Sequence, residues 1–131
     1  AVARGVTVRV LVTGRRTDNW LARQNSRRLY GVLLDGGIKL YEYHHSMLHQ
    51  KVMLVDGCWC TVGTSNFDNR SFAHNEETSV CLCDTGFAAA MTARFEADLA
   101  ASQPVDHGRW RQRGPWTRAQ ELVASLLKEQ V

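Results

Sequence analysis

The order of the first 43 residues restricts this chain's fold more than any other feature. "GVTVRVLV" (5–12) is β-branched and alternating, the pattern of a strand buried on at least one face. Thr17 or Asp18 can cap a helix running to about Leu34 or Asp35, with Trp20, Leu21, Leu29, Val32 and Leu33 as its apolar contacts. Gly36 and Gly37 stop that helix, and "IKLYEY" (38–43) is a second strand. A strand, a helix and a strand in succession make a parallel pair joined by a helical crossover. The expected class is therefore α/β, a mixed β-sheet flanked by helices.

The rest of the chain adds antiparallel and helical elements. Residues 49–55 and 58–63 read as two strands separated by Asp56-Gly57, a strong hairpin signal. "ETSVCLC" (77–83) is another strand. Asp84 can cap a helix from Thr85 to about Ala101, with Phe87, Met91, Phe95 and Leu99 on one stripe. A connection from Pro104 to Pro115, containing Trp110, leads to a last helix that begins with a Thr117-x-x-Gln120 capping box and buries Leu122, Leu126 and Leu127.

Bulk properties narrow the partners. At 131 residues the length suits one domain. A net charge of +3 favours anionic partners only slightly, and no basic run interleaved with aromatics marks a nucleic-acid binder. No apolar run approaches the ~20 residues that cross a bilayer. The cysteines form two C-x-C pairs, Cys58/Cys60 and Cys81/Cys83. That spacing is tighter than the usual zinc pattern, so the sulfurs are expected to be reduced, small hydrophobes buried in neighbouring strands, with no metal site.

The hairpin carries the chemistry. If Asp56-Gly57 is a two-residue turn, Val55 pairs with Cys58, Lys51 faces Val62, and His49 faces Thr64. Asn66 lies just beyond. In that register His49, Lys51, Thr64 and Asn66 converge at one end of the hairpin, since directly opposed residues share a face. The set offers an imidazole that can act as nucleophile or acid, a fixed cation and an amide donor, all within reach of one phosphate. Singly, each has an ordinary structural explanation: a half-buried polar residue, a lysine lying along apolar surface, a turn asparagine.

The pattern His49-x-Lys51-x4-Asp56-x6-Gly63-Thr64-x-Asn66 resembles the HKD signature of the phospholipase D superfamily. "SNFDNRSF" (65–72), which contains Asp68, Arg70 and Ser71, is similar to the N-[LF]-D-x-R-S-F segment of bacterial cardiolipin synthases, and "NEE" (75–77) to their N-x-E. "YEYHHSMLHQK" (41–51) is similar to the run upstream of the motif in the same group. The likeness extends over essentially the whole chain. Glu76 departs from it, where an aromatic or apolar residue is frequent.

The resemblance implies a phospholipase D-like fold and covalent catalysis without a metal or cofactor. One HKD histidine forms a phosphohistidine, and the histidine of a second motif serves as acid and then base. His49, Lys51 and Glu77 would be catalytic, with Glu77 orienting an imidazole, while Lys51, Thr64 and Asn66 hold the phosphoryl oxygens. Asp56, Gly63, Asp68, Arg70 and Ser71 would be structural members of the motif, and the pair His44-His45 reads as a solvated strand end.

The implied activity is phosphatidyl transfer, two phosphatidylglycerol molecules giving cardiolipin and glycerol. The alternative is a phosphodiesterase or nuclease acting as a homodimer. One motif stands where the mechanism needs two. The chain is thus expected to be the C-terminal half of a two-motif protein, incomplete at its N-terminal side. Its expected partners are a phospholipid, a membrane surface and a second HKD half or a homodimer partner. The full-length protein is expected at the cytoplasmic face of the inner membrane.

Overall fold

The parallel pair expected from residues 5–43 is present in a computed structural model, which describes residues 1–16, 20–65 and 76–114. In chain order the elements are β1 (Arg9–Thr13), α1 (Trp20–Asp35), β2 (Lys39–Tyr43), β3 (Val52–Val55) and β4 (Trp59–Gly63). They continue with β5 (Ser79–Cys83), α2 (Thr85–Ala100), β6 (Gln103–Pro104) and α3 (His107–Arg111). The strands separate into two three-stranded sheets, one mixed and one antiparallel, within two packing units. Of the described residues, those up to 48 and from 101 to 114 form the first unit, and those from 49 to 100 the second.

In the first unit β1 and β2 run parallel, from Arg9↔Lys39 to Thr13↔Tyr43, and β6 adds antiparallel to β2 at Tyr41↔Pro104. The crossover helix ends as its glycines foretell. Ile38 N–H reaches Leu33 C=O and Gly37 N–H reaches Leu34 C=O, with Gly37 at φ 81°, a left-handed geometry that suits glycine.

The buried stripe of α1 differs from the expected one. Tyr30 and Leu34 join Leu40 and Trp110 in the core, with Val10, Val12, Leu33 and Val105 against it, whereas Leu29 is 60% and Val32 71% exposed. Apolarity alone had picked Leu29 and Val32. The helix face is instead set by Tyr30 packing on Trp110 at 5.1 Å, and residue 29 lies about 100° around the helix from residue 30. The side chains of Trp20 and Leu21, the caps Thr17 and Asp18, and the helix expected from Thr117 lie outside the described residues.

The Pro104–Pro115 connection holds two elements that its sequence did not announce, β6 and α3. Asp106 caps α3 by accepting from Arg109 N–H at 2.7 Å, which brings Trp110 onto Tyr30.

In the second unit the hairpin pairs Val52↔Val62, Met53↔Thr61, Leu54↔Cys60 and Val55↔Trp59. β5 joins β4 from Trp59↔Cys83 to Gly63↔Ser79, and α2 packs on β3 and β4. Asp84 caps α2, accepting from Phe87 N–H at 2.6 Å. Ala88 and Asp98 are the buried positions of α2, so Phe87, expected on the buried stripe, is exposed. The 3.6-residue period carries an i, i+4 row around the helix, and residues 88, 91, 95 and 98 follow the buried face more closely.

The cysteines divide in the same way. Cys60 is 1% exposed, as a small core residue should be, but Cys81 and Cys83 are exposed, against expectation. They share the register of Met53, Val55, Trp59 and Thr61, on the face opposite Cys60. Thiols expected to pack together were thus sorted to two faces by strand pairing. All four are free.

Two predictions follow from these contacts. Asp35, at the unfavourable C-terminal end of α1, accepts from His107 Nε2 and Arg111 at 2.7 Å each, and these partners hold its carboxyl below the ordinary aspartate range. A depressed carboxyl contributes stability above its unfolded pKa and loses it as pH falls through the folded value. The wild type's advantage over Asp35→Asn in urea unfolding should therefore be full above about pH 5 and fade below about pH 4. A difference that stays constant down to acid pH would rule this out.

At Gly63 a Cβ would stand 2.3 Å from Ser79 Oγ, 2.5 Å from Thr78 C=O and 2.8 Å from Ser79 Cα. Two of these contacts are backbone, so Gly63→Ala must part β4 from β5. It should destabilise by about 1–3 kcal/mol in chemical denaturation.

Candidate active site

The site is built at one end of the antiparallel sheet, where β3 begins, β4 ends and β5 begins. The Asp56-Gly57 turn starts it. Asp56 has φ 49° and Gly57 φ 67°, and Cys58 N–H closes on Val55 C=O at 3.2 Å, the geometry of a type I′ turn. Asp56 thus occupies a turn position that asparagine, aspartate and glycine tolerate best.

Strand pairing does not resume where a bare two-residue turn would place it. Val55 pairs with Trp59, leaving Cys58 as an extra residue, a one-residue bulge. The register expected from the sequence is therefore corrected by one position. Lys51 opposes Gly63, whose N–H reaches Lys51 C=O at 3.1 Å, rather than Val62. Thr64 does not oppose His49. β3 itself begins at Val52, so residues 49–51 lead into the strand instead of forming its first positions.

The motif residues meet in two pairs. Lys51 Nζ lies 3.0 Å from His49 Nε2 and also donates to His49 C=O at 3.0 Å. An ammonium has donors only, so His49 Nε2 is the acceptor, and the neutral ring then carries its proton on Nδ1. Nε2 is the nitrogen with a lone pair, in an exposed ring beside a fixed positive charge.

In the second pair, Thr64 donates its hydroxyl proton to Glu77 Oε2 at 2.5 Å and accepts from Thr78 N–H at 3.0 Å. Thr64 N–H in turn reaches Thr78 C=O at 3.0 Å, extending the β4–β5 ladder by one step. Glu77 is half-buried. The Lys51–Gly63 and Gly63–Ser79 pairings tie the two pairs to neighbouring strand ends. A smaller residue than glycine does not exist, and only glycine lets β5 approach here.

Chemically, the arrangement presents a nucleophilic imidazole nitrogen, an ammonium and a hydroxyl oriented by a carboxylate. These are the groups that attack and hold a phosphoryl centre. Asn66, Asp68, Arg70 and Ser71 lie outside the described residues. His44, read from the sequence as a solvated strand end, is instead half-buried in the first unit. Its Nδ1 accepts from Arg15 N–H at 3.1 Å, and its Nε2 lies 3.5 Å from Glu42 Oε2. Only the fold reveals that role, since residues 15 and 44 are neighbours through the parallel crossover.

Comparison with known proteins identifies the family. The family described as "Cardiolipin synthase, PLD-like domain" matches residues 1–99. Cardiolipin synthase A of Erwinia tasmaniensis is 40% identical over 123 residues, 94% of this chain and 25% of that protein. A cardiolipin synthase of a Geobacillus species is 37% identical over 127 residues, 97% of this chain and 25% of its own length. The chain therefore spans about a quarter of the length of these relatives. Among solved structures, the phospholipase D family member Nuc from Salmonella typhimurium superposes with a TM-score of 0.65 at 20% identity, covering 79% of this chain and 67% of that one. It shares the fold. A family match over residues 1–99, with the motif residues assembled at one sheet end, shows that the chain belongs to the phospholipase D-like domain family of cardiolipin synthases.

Proposed function

We propose that this chain is one catalytic half of a phosphatidyltransferase that joins two phosphatidylglycerol molecules into cardiolipin and glycerol. The observation that carries this reading is the contact of Lys51 Nζ with His49 Nε2 at 3.0 Å, beside the Thr64–Glu77 pair. A phosphodiester oxygen arriving at Lys51 would draw the ammonium from the ring and free Nε2 for attack.

Transfer takes two displacements. A histidine nitrogen attacks phosphorus, the P–O bond to glycerol breaks, and the leaving oxygen takes a proton from the second imidazole. The hydroxyl of a second phosphatidylglycerol then gives its proton to that imidazole and attacks phosphorus. The P–N bond breaks and the first histidine is restored. Lys51, with Asn66, steadies the extra negative charge in each transition state, and the Thr64 hydroxyl joins them when its one proton turns from Glu77 to a phosphoryl oxygen. Glu77 fixes the hydroxyl's direction, leaving its oxygen lone pair to Thr78. Asp56 and Gly63 set the hairpin's turn and strand approach, and Asp68, Arg70 and Ser71 are taken as structural members of the motif.

His49 supplies one of the two imidazoles. The other comes from an equivalent half, in the same polypeptide or in a second copy. The sheet face in register with Lys51 supports such a partner: Met53 and Val55 are 39% exposed there, next to the exposed Cys81 and Cys83. Covering that face would complete the site and bury its apolar surface together. The relatives' names support a lipid substrate. Such a substrate is met at a membrane surface, and the full-length protein is proposed to work at the cytoplasmic face of the inner membrane. Among the described residues no helix is long and apolar enough to cross a membrane.

In the full-length protein, His49→Ala should lower cardiolipin formation from phosphatidylglycerol by at least about 10³-fold while sparing lipid binding. The isolated 131-residue chain should turn over only when it self-associates. Unchanged transfer by His49→Ala would refute the catalytic assignment. Full activity from a verified monomer of the chain would refute the need for a second half.

A further inference from the structure

The first unit carries a second concentration of charge that the HKD chemistry does not use. It lies at the carboxyl ends of β1 and β2, the side of a parallel pair where ligands of open α/β sheets bind. Glu42, near the end of β2, is its anchor. Arg27 donates to Glu42 Oε1 at 2.9 Å, Arg23 lies 3.6 Å from the same oxygen, and the Tyr30 phenol is close enough to feel this carboxylate's charge. His44 stands against the other oxygen, Oε2, at 3.5 Å.

One carboxylate thus answers two guanidinium groups and an imidazole, and the set keeps a positive excess. Arg23 Nε is buried without a hydrogen-bond partner, so Glu42 leaves part of the donor capacity of that cation unused.

The cluster also fixes where β1 delivers its next residues. His44 Nδ1 accepts from Arg15 N–H, and Gly14 N–H reaches Tyr43 C=O at 2.8 Å. A Cβ on Gly14 would stand 2.1 Å from His44 Nδ1, so the close approach requires glycine. Arg15 and Arg16 then emerge exposed, the Arg15 backbone tied to the His44 ring that stands against Glu42. Arginines kept in place by a buried ion network are suited to phosphate, because less side-chain and loop freedom remains to be lost on binding.

We propose that Arg15 and Arg16, positioned by His44 and backed by Arg23 and Arg27, bind the phosphate of an anionic phospholipid that is not undergoing attack. This rests on the lipid substrate proposed above: a transferase joining two anionic lipids has to hold a second phosphate that its nucleophile leaves alone. The site keeps such a molecule, or the membrane surface that contains it, on the protein.

The test is cosedimentation of the purified protein with vesicles, either pure phosphatidylcholine or an equimolar mixture with phosphatidylglycerol. Arg15→Ala/Arg16→Ala should weaken binding to the anionic vesicles by roughly 30-fold, the effect of two arginines near a charged surface. Arg4→Ala/Arg109→Ala removes the same charge from two other exposed positions and should change binding by less than about threefold. A loss below about threefold in the first variant, or an equal loss in the second, would overturn the site. Inorganic phosphate at matched concentration should displace the protein only weakly; full displacement would assign the cluster to a soluble phosphate and overturn the lipid assignment. Binding is read without turnover. Wild-type full-length protein that binds anionic vesicles but gives no transfer would therefore fail the transferase reading alone, and intact transfer with unchanged binding in Arg15→Ala/Arg16→Ala would fail this one alone.

Discussion

The Gly63 N–H to Lys51 C=O hydrogen bond, 3.1 Å long, joins the two sides of the active-site end of the antiparallel sheet. It exists because the type I′ turn at Asp56-Gly57 is followed by one surplus residue, Cys58, before the ladder resumes. Without the bulge Lys51 would face Val62. With it, Lys51 meets a residue with no side chain, and β5 can close against β4 on the other side of the same glycine. The backbone thus sets the ammonium beside its imidazole and leaves Thr64 to turn toward Glu77. A one-residue slip in a β-hairpin moves every side chain to the other face, so this single extra residue decides the composition of each face.

The first unit depends on a different kind of anchor. Glu42 is a largely buried carboxylate, and a buried charge is tolerated only when it is well paired. Arg27, Arg23 and His44 supply that pairing from α1 and from the end of β2. Burial and the neighbouring Glu42 push the Tyr30 phenol far above its ordinary range, so it remains a neutral donor. Arg27 also lies 5.0 Å from the Trp110 ring centre, joining the polar network to the aromatic core. The same residues that seat the crossover helix therefore orient the basic turn after β1.

Much of this was legible in the chain. Gly36-Gly37 ended α1 where expected, Asp84 capped α2, the HKD spacing drew attention to His49, Lys51 and Thr64, and the likeness to N-x-E drew it to Glu77. What failed had a common origin. Leu29, Val32 and Phe87 were assigned inward because they are apolar, and Cys81 and Cys83 because free cysteine is usually buried. Which face of an element is covered depends on its partners. Tyr30 on Trp110 rotates α1, and pairing with Trp59 and Thr61 turns Cys83 and Cys81 outward. β6 and α3 escaped notice because two paired residues and a single capped turn carry almost no periodic signal.

The sequence by itself determined the kinds and order of the elements from β1 to α2, the parallel crossover, the hairpin turn and the residue types of a phosphoryl-transfer motif. These are properties of local propensity and short spacing, fixed by neighbours in the chain. Only the tertiary structure decided the bulge at Cys58, the meeting of Thr64 with Glu77, and the joining of Arg15 to His44 and His44 to Glu42. Those are contacts between separate strands and loops, and their geometry follows from hydrogen-bond register and packing, which no short window of sequence contains.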